Sequence, residues 1–161
     1  EVLPSGEEKI LHNGHWEETA EDSTETRGFF IEDDGGFQKP MEYWIGAMVF
    51  TPDAKMLITG SRDNTIRFFE MPTMNELRVV RGHNGWVRSL VVSPDGKVLI
   101  SAGDDNTIRF WDIATGRNFR TDKTHGGAVR GIALSPDGLR LASASWDRTV
   151  KLWEGGVEPA E

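Results

Sequence analysis

A unit of 42 residues occurs three times in this chain, and this repeat constrains the fold more than any other feature. The heptapeptides DNTIRFF, DNTIRFW and DRTVKLW start 42 residues apart, at positions 63, 105 and 147. The same spacing separates three prolines, Pro52, Pro94 and Pro136. A period near 40 is typical of repeat architectures, in which one unit cannot bury its apolar surface alone. Neighbouring units are therefore expected to pack against each other.

Composition narrows the class of protein. The chain has 161 residues and six tryptophans, which suits one domain with a packed core. It has no cysteine, which excludes disulfides and thiolate-bound metal. The sequence contains no run of about 20 apolar residues and no visible signal peptide after Glu1. We therefore expect a cytoplasmic, intracellular protein, and no targeting run or basic cluster separates the cytosol from the nucleus.

The net charge of −8 is concentrated in one segment. Residues 16–43 contain nine acidic and two basic residues, a balance of −7, whereas residues 44–161 contain 14 acidic and 15 basic residues, a balance of +1. A protein that binds the phosphate backbone needs a basic surplus. We therefore expect no nucleic acid partner, and also no membrane partner.

The middle copy, residues 86–124, encodes four short strands separated by turns. The strand candidates are, in order, WVRSLVVSP, KVLISAG, TIRFWDI and NFRTDK. In the turn PDGK, proline presets φ, aspartate caps the turn and glycine supplies a positive φ. The fourth strand is the most polar, as expected of an outer edge strand. Four antiparallel strands in about 40 residues form a small twisted sheet, and copies of such a sheet can stack around an axis.

Over residues 44–154 the copies resemble WD repeats, the four-stranded blades of β-propellers. In that family a histidine, a serine or threonine, an aspartate and a tryptophan form a buried hydrogen-bond network. The resemblance places this structural network on His83, Ser101, Asp105 and Trp111 in the middle repeat and on His125, Ser143, Asp147 and Trp153 in the last. Such a network is physically reasonable, because a buried carboxylate needs hydrogen-bond donors.

The first repeat departs from this pattern. It keeps Thr59 and Asp63, but Phe69 replaces the tryptophan and Met41 stands where the histidine belongs. Its network is therefore expected to be partial, and this blade is expected to be the least rigid.

The predicted fold class is all-β and consists of WD-repeat β-propeller blades. We expect three clear four-stranded antiparallel blades, at 44–83, 84–125 and 126–155, followed by a tail at 156–161. A degenerate fourth blade is an alternative interpretation of residues 3–37. The ring is then either incomplete or completed by oligomerisation, because an open stack would expose two apolar sheet faces. A fragment of a longer propeller and an unusual four-blade closure are the other solutions.

The last repeat stops just after its third strand, at KLWEGGVEPAE. Residues 1–15 are predicted to form an N-terminal segment that supplies the closing outer strand, with residues 8–14 pairing with the blade at 128–154. Residues 16–43 are then an acidic flexible insertion. They are predicted to be a solvated loop, and a second hypothesis lets them fold over the arginines of the partner-binding face.

No catalytic signature is present, since the chain lacks a P-loop, a nucleophile elbow and a paired-histidine zinc motif. His12 and His15 could offer two metal ligands, but a strand residue followed by a Gly-His corner explains them better. The acidic runs at 32–36 and 104–106 lack the ligand spacing of a calcium loop. We therefore expect no enzyme activity, no cofactor and no metal site.

Binding is the function that the resemblance implies, because partners of WD propellers usually dock on the face that carries the Gly-His loops and the Asp turns. The family's exposed positions there are Trp44, Gly46 and Arg62 in the first blade, Trp86, Arg88 and Asp104 in the second, and Ala128, Arg130 and Trp146 in the third. Tryptophan and arginine are enriched in interface hot spots. The candidate partner-binding residues are Trp44, Arg62, Trp86, Arg88, Asp104, Arg130 and Trp146. The alternative for Trp44 and Trp86 is packing between blades.

The predicted function is a non-catalytic scaffold or adaptor for protein–protein interaction, with other proteins or peptides as partners. One alternative is a self-assembling structural propeller unit that forms a homodimer or homotrimer ring. The other is a regulatory fragment of a larger WD-repeat protein.

Overall fold

The fold was examined in a computed structural model, which describes residues 9–12, 15–18 and 44–155. All regular elements in these ranges are β-strands. A short hairpin consists of β1 (Lys9–His12) and β2 (His15–Glu18). The first blade consists of β3 (Ile45–Phe50), β4 (Met56–Ser61), β5 (Thr65–Glu70) and β6 (Glu76–Arg81). The second consists of β7 (Val87–Val92), β8 (Val98–Gly103), β9 (Ile108–Asp112) and β10 (Asn118–Asp122). The third consists of β11 (Val129–Leu134), β12 (Arg140–Ser145) and β13 (Val150–Glu154).

Each blade is an antiparallel sheet whose strands follow one another in chain order, which confirms the predicted all-β class. The first two sheets have four strands and the third has three within the described residues. The expectation of three four-stranded blades is therefore corrected for the last repeat, in which β13 (Val150–Glu154) forms the outer edge. The three sheets lie inside the predicted blade limits.

The hairpin bears on the predicted closing strand. β1 pairs with β2, in a register that places Lys9 opposite Glu18. No pairing of β1 with the third blade occurs among the described strands, so the structure gives residues 9–12 a different partner from the predicted one. The acidic segment 19–43 and the tail 156–161 lie outside the described residues.

The turns between first and second strands follow the chemistry of the repeated Pro-Asp motif. In the middle repeat Ser93 Oγ donates to Asp95 Oδ1 at 2.5 Å, and the same hydroxyl oxygen accepts the Val98 N–H at 2.9 Å. Gly96 has a φ of 74°, in the left-handed region that favours glycine. Ala54 occupies the equivalent position of the first repeat with a φ of 56°. The motif therefore sets the same turn in each repeat.

The core lies between neighbouring sheets. One apolar cluster joins the first and second blades and contains Ile58, Phe68, Leu90, Leu99 and Trp111. A second cluster joins the second and third blades and contains Ile100, Phe110, Val129 and Leu141. The innermost strands β3, β7 and β11 lie side by side. The sheets therefore stack face to face, and their strand ends form two opposite rims.

Candidate partner-binding rim and its supporting network

The four predicted network residues of the middle repeat lie in direct contact. His83 Nδ1 lies 2.9 Å from Asp105 Oδ2, and the ring N–H is the donor because a carboxylate only accepts. His83 Nε2 lies 2.7 Å from Ser101 Oγ, and Trp111 Nε1 donates to the same oxygen at 2.8 Å. Ser101 and Trp111 are buried. The network therefore joins the loop before β7 to the second and third strands of its blade.

Asp105 holds the outer end of this network. Burial alone raises the pKa of its carboxyl group, but hydrogen bonding and charge from His83, the Asn84 amide and the Thr107 hydroxyl outweigh burial. The net result is a pKa well below the ordinary value of 3.8. The carboxylate therefore favours the folded state at neutral pH.

The last repeat contains the same contacts in a more exposed setting. His125 Nδ1 lies 2.7 Å from Asp147 Oδ2, and His125 Nε2 lies 2.7 Å from Ser143 Oγ. Trp153 Nε1 donates to Ser143 Oγ at 3.2 Å, and Trp153 is only half-buried. Hydrogen bonding, chiefly from Thr149, lowers the pKa of Asp147.

The first repeat satisfies its aspartate with a different donor. Arg67 Nη2 donates to Asp63 Oδ2 at 2.7 Å, and Arg67 Nη1 donates to Thr65 Oγ1 at 2.6 Å. Burial raises the pKa of Asp63, but these donors lower it below the ordinary value. Thr59 Oγ1 is buried without a hydrogen-bond partner, since Phe69 has no N–H to offer. Sequence reasoning expected a partial network here but did not anticipate the arginine substitute.

We expect Thr59→Val to raise the free energy of unfolding by about 1 kcal/mol, because a buried unpaired hydroxyl is desolvated without compensation. Urea denaturation followed by far-ultraviolet circular dichroism would measure the change. The matched control is Ser101→Ala, which removes a paired hydroxyl and is expected to lower the same free energy by about 1–3 kcal/mol. Equal losses in both variants would contradict the prediction, because they would mean that Thr59 also has a partner.

The predicted rim residues lie at one end of the three sheets. In each blade the residue before the first strand accepts a backbone hydrogen bond from the residue after the second strand. The donor–acceptor pairs are Arg62 and Trp44, Asp104 and Trp86, and Trp146 and Ala128, each at 2.9 Å. The repeat therefore places equivalent side chains side by side along this rim.

Six of the seven predicted side chains form an alternating row of rings and guanidinium groups. The Trp44 and Trp86 rings meet edge to face, with centroids 6.5 Å apart. Arg62 lies 5.6 Å from the Trp86 centroid and 6.0 Å from that of Trp44. Arg88 stacks on Trp86 at 3.4 Å, and Arg130 lies over Trp146 at 4.1 Å. We call this row, with Asp104, the Trp–Arg rim.

Asp104 links the second and third blades within the rim. Arg88 donates to it through Nε at 2.9 Å and Nη2 at 2.6 Å, and Arg130 Nη1 donates at 3.0 Å. Hydrogen bonding from Arg88, followed by that from Arg130, lowers the pKa of this carboxyl group despite partial burial. Arg62 has no carboxylate partner among the described residues. The rim therefore has one uncompensated cation at its first-blade end.

The rim differs from the sequence-based expectation at particular positions. Trp44 and Trp146 are 66% and 68% exposed, so neither is buried between blades. Trp86 is half-buried, and its indole N–H is enclosed without a hydrogen-bond partner. Ala128, expected on the exposed face, is buried. Its short side chain leaves room for neighbouring backbone and was the one available signal.

Two further classes of site were searched for in the described part of the chain. No group of three or more histidine, cysteine or acidic side chains there could hold a metal ion. No helix within those residues is long and apolar enough to cross a membrane. The side chains of His12 and His15 are not among those described.

The family model for the WD domain, G-beta repeat, matches residues 39–70, 74–112 and 116–154, well over half of the chain. This chain belongs to the WD-repeat family. The resemblance predicted from the 42-residue repeat is confirmed, and WD-repeat propellers are generally non-catalytic interaction domains.

Solved structures support the same fold. The structure of U3-55K and the crystal structure of RRP9 WD40 repeats each match with a TM-score of 0.68 and 28% sequence identity. Each match covers 72% of this chain and 37% of the solved chain. The chain therefore spans 37% of the length of either protein.

Proposed function

We propose that this chain is a non-catalytic WD-repeat platform that binds protein partners through the Trp–Arg rim. The observation that carries the proposal is the continuous row from Trp44 to Trp146, which crosses all three blades on one edge. Exposed tryptophan and arginine side chains are the residue types that dominate interface energetics. The buried networks below the rim hold its backbone in place, so little ordering is required on binding.

The charge pattern of the rim favours a particular partner chemistry. Arg88 and Arg130 both donate to Asp104, so these two cations are partly neutralised inside the protein. Arg62 lies between two indole rings, and no carboxylate among the described residues neutralises it. A peptide with a carboxylate beside an aromatic or large aliphatic side chain would supply both the missing charge and the apolar contact.

This charge pattern also determines which substitution tests the rim. Reversing Arg88 or Arg130 would place a new carboxylate against Asp104 and disturb the protein itself. Arg62 can be changed without breaking an ion pair of the described residues. Arg62→Glu, combined with Trp44→Ser at the most exposed ring of the same corner, is therefore the informative variant.

We expect a random peptide display library to yield peptides rich in acidic–aromatic pairs when it is selected on the wild-type chain. The selected peptides should bind Trp44→Ser/Arg62→Glu at least 30-fold more weakly, about 2 kcal/mol, as expected for hot-spot residues. Isothermal titration with synthetic copies of the enriched peptides would measure the affinities.

The matched control is Arg117→Glu. Arg117 is an exposed arginine in the turn between β9 and β10, at the opposite end of the sheets from the rim. It carries the same charge reversal and should leave peptide affinity within twofold of wild type. If the peptides bind the rim variant and wild type equally, the rim is not the docking site.

A further inference from the structure

The chain also contains a repeated contact between sheets whose two halves are left free at its ends. Every sheet has a face that meets the next blade, which we call the forward face, and one that meets the preceding blade, the backward face. The forward face carries Ile58 and Phe68 in the first blade and Ile100 and Phe110 in the second, all of them buried. The backward face carries Leu90 and Val92 in the second blade and Ile132 and Leu134 in the third.

The forward face of the third blade is not covered by any described residue. The 42-residue period places Ala142 and Leu152 at its positions equivalent to Ile100 and Phe110. Val150, equivalent to Ile108, is 75% exposed, and Leu152 is 63% exposed. Ile108 itself is 2% exposed in the second blade. The same sheet position therefore changes from buried to exposed because the next blade is missing.

The backward face of the first blade is free in the same way. The period places Met48 and Phe50 at the positions of Leu90 and Val92. Met48 is 56% exposed and Phe50 is 52% exposed, whereas Leu90 is buried. Both ends of the stack thus present the halves of an interface that the chain forms twice internally.

The two free faces have opposite deviations in side-chain size. The third blade has Ala142 and Leu152 where the other forward faces have isoleucine and phenylalanine, so this face is shallower. The first blade has Met48 and Phe50 where the other backward faces have leucine or isoleucine and valine or leucine, so this face is bulkier. Large side chains facing small ones pack to interior density. The faces therefore complement each other better than either complements itself.

Charge is confined to one end of the forward face. Arg140 stands at the position of Val98, and its side chain is 61% exposed and lies 3.5 Å from Glu154. This pair is at the beginning of β12, away from the Trp–Arg rim. The apolar part, with Ala142, Val150 and Leu152, lies nearer the rim.

We propose that two copies of this chain bind head to tail, the forward face of each third blade covering the backward face of the other copy's first blade. Such a contact is heterologous, and a heterologous contact that closes forms a ring. Two copies contribute six sheets, which is within the usual four to eight blades of a propeller, whereas three copies would contribute nine. The inference goes beyond the proposed function and does not depend on the rim.

Light scattering behind a sizing column tests the proposal on the full chain of 18.0 kDa. The wild-type chain should have twice the mass of one chain. Leu152→Glu removes the forward face and Met48→Glu removes the backward face, so each variant alone should have half the wild-type mass. An equimolar mixture of the two variants should return to the mass of two chains at high concentration, because one intact forward face and one intact backward face remain.

The control is Leu139→Glu, because Leu139 is an exposed leucine whose equivalents in the other repeats are Lys55 and Lys97. This variant should keep the two-chain mass. All three positions are more than half exposed within one chain, so circular dichroism should show folded variants. A wild-type mass of one chain would overturn the proposal. So would a dimer of either variant alone, which indicates a symmetric contact, or a mixture that stays monomeric.

Discussion

Asp105→Ala is expected to lower the free energy of unfolding by about 3–5 kcal/mol, because it removes one partner of a buried, hydrogen-bonded pair. The Asp105 side chain is 6% exposed and that of His83 is fully buried. The substitution leaves His83 Nδ1, the Asn84 amide and the Thr107 hydroxyl without their acceptor. Urea denaturation followed by far-ultraviolet circular dichroism measures the loss.

The pH dependence of stability gives this prediction a second measurement. The pKa of Asp105 is lower in the folded protein than its ordinary value of 3.8. Its contribution is therefore fully present above pH 3.8 and is lost as the pH falls below that value towards the folded-state pKa. Asp105→Asn, which cannot titrate, should flatten the acid limb of the stability curve. An unchanged acid limb, or a loss below about 1 kcal/mol in Asp105→Ala, would contradict the assigned role.

Trp111→Ala is expected to cost about 3–5 kcal/mol, since it creates a large cavity in the cluster between the first two blades. Trp111 is 2% exposed, and it packs with residues of both sheets. The change also removes the indole donor to Ser101 Oγ. Chemical denaturation with the same optical probe gives the loss in the free energy of unfolding, free of the change in indole fluorescence.

A second pair of variants separates the cavity from the hydrogen bond. Trp111→Phe keeps most of the volume, so its smaller loss reports mainly the missing donor. Trp153→Phe makes the same change in the third blade, where the ring is half-buried and the Nε1–Oγ distance is 3.2 Å rather than 2.8 Å. We expect a smaller loss there, because water can reach the site. Equal losses in both phenylalanine variants would mean that burial does not set the strength of the network.

The regular parts of the structure follow from local signals that the repeat presents three times. Turn residues and alternating apolar residues predict the strands, and their recurrence predicts that equivalent residues share one edge. The resemblance to WD repeats placed the His83–Asp105 and His125–Asp147 pairs correctly, because each pair lies within one repeat and its spacing is constant. These predictions needed no information on how neighbouring blades pack.

The irregular parts did not follow from the repeat. Arg67 takes the place of the missing histidine because its side chain reaches Asp63 across one turn, and a comparison between repeats does not detect such a substitution. The burial of Ala128 was also missed. The pairing of β1 with β2 differs from the predicted closing strand, because a two-residue connection favours a local hairpin over a distant sheet edge.

The amino-acid sequence by itself determined the class of fold, the limits of the blades and the identity of the rim residues, because each depends on contacts within one repeat or on its period. The tertiary structure alone decided which rim arginine is free. Arg130 and Asp104 belong to different blades, and whether they pair depends on how the sheets stack. Charge neutralisation changes steeply with distance over a few ångströms, so only the packed structure distinguishes Arg62, without a carboxylate partner in the described chain, from Arg88 and Arg130.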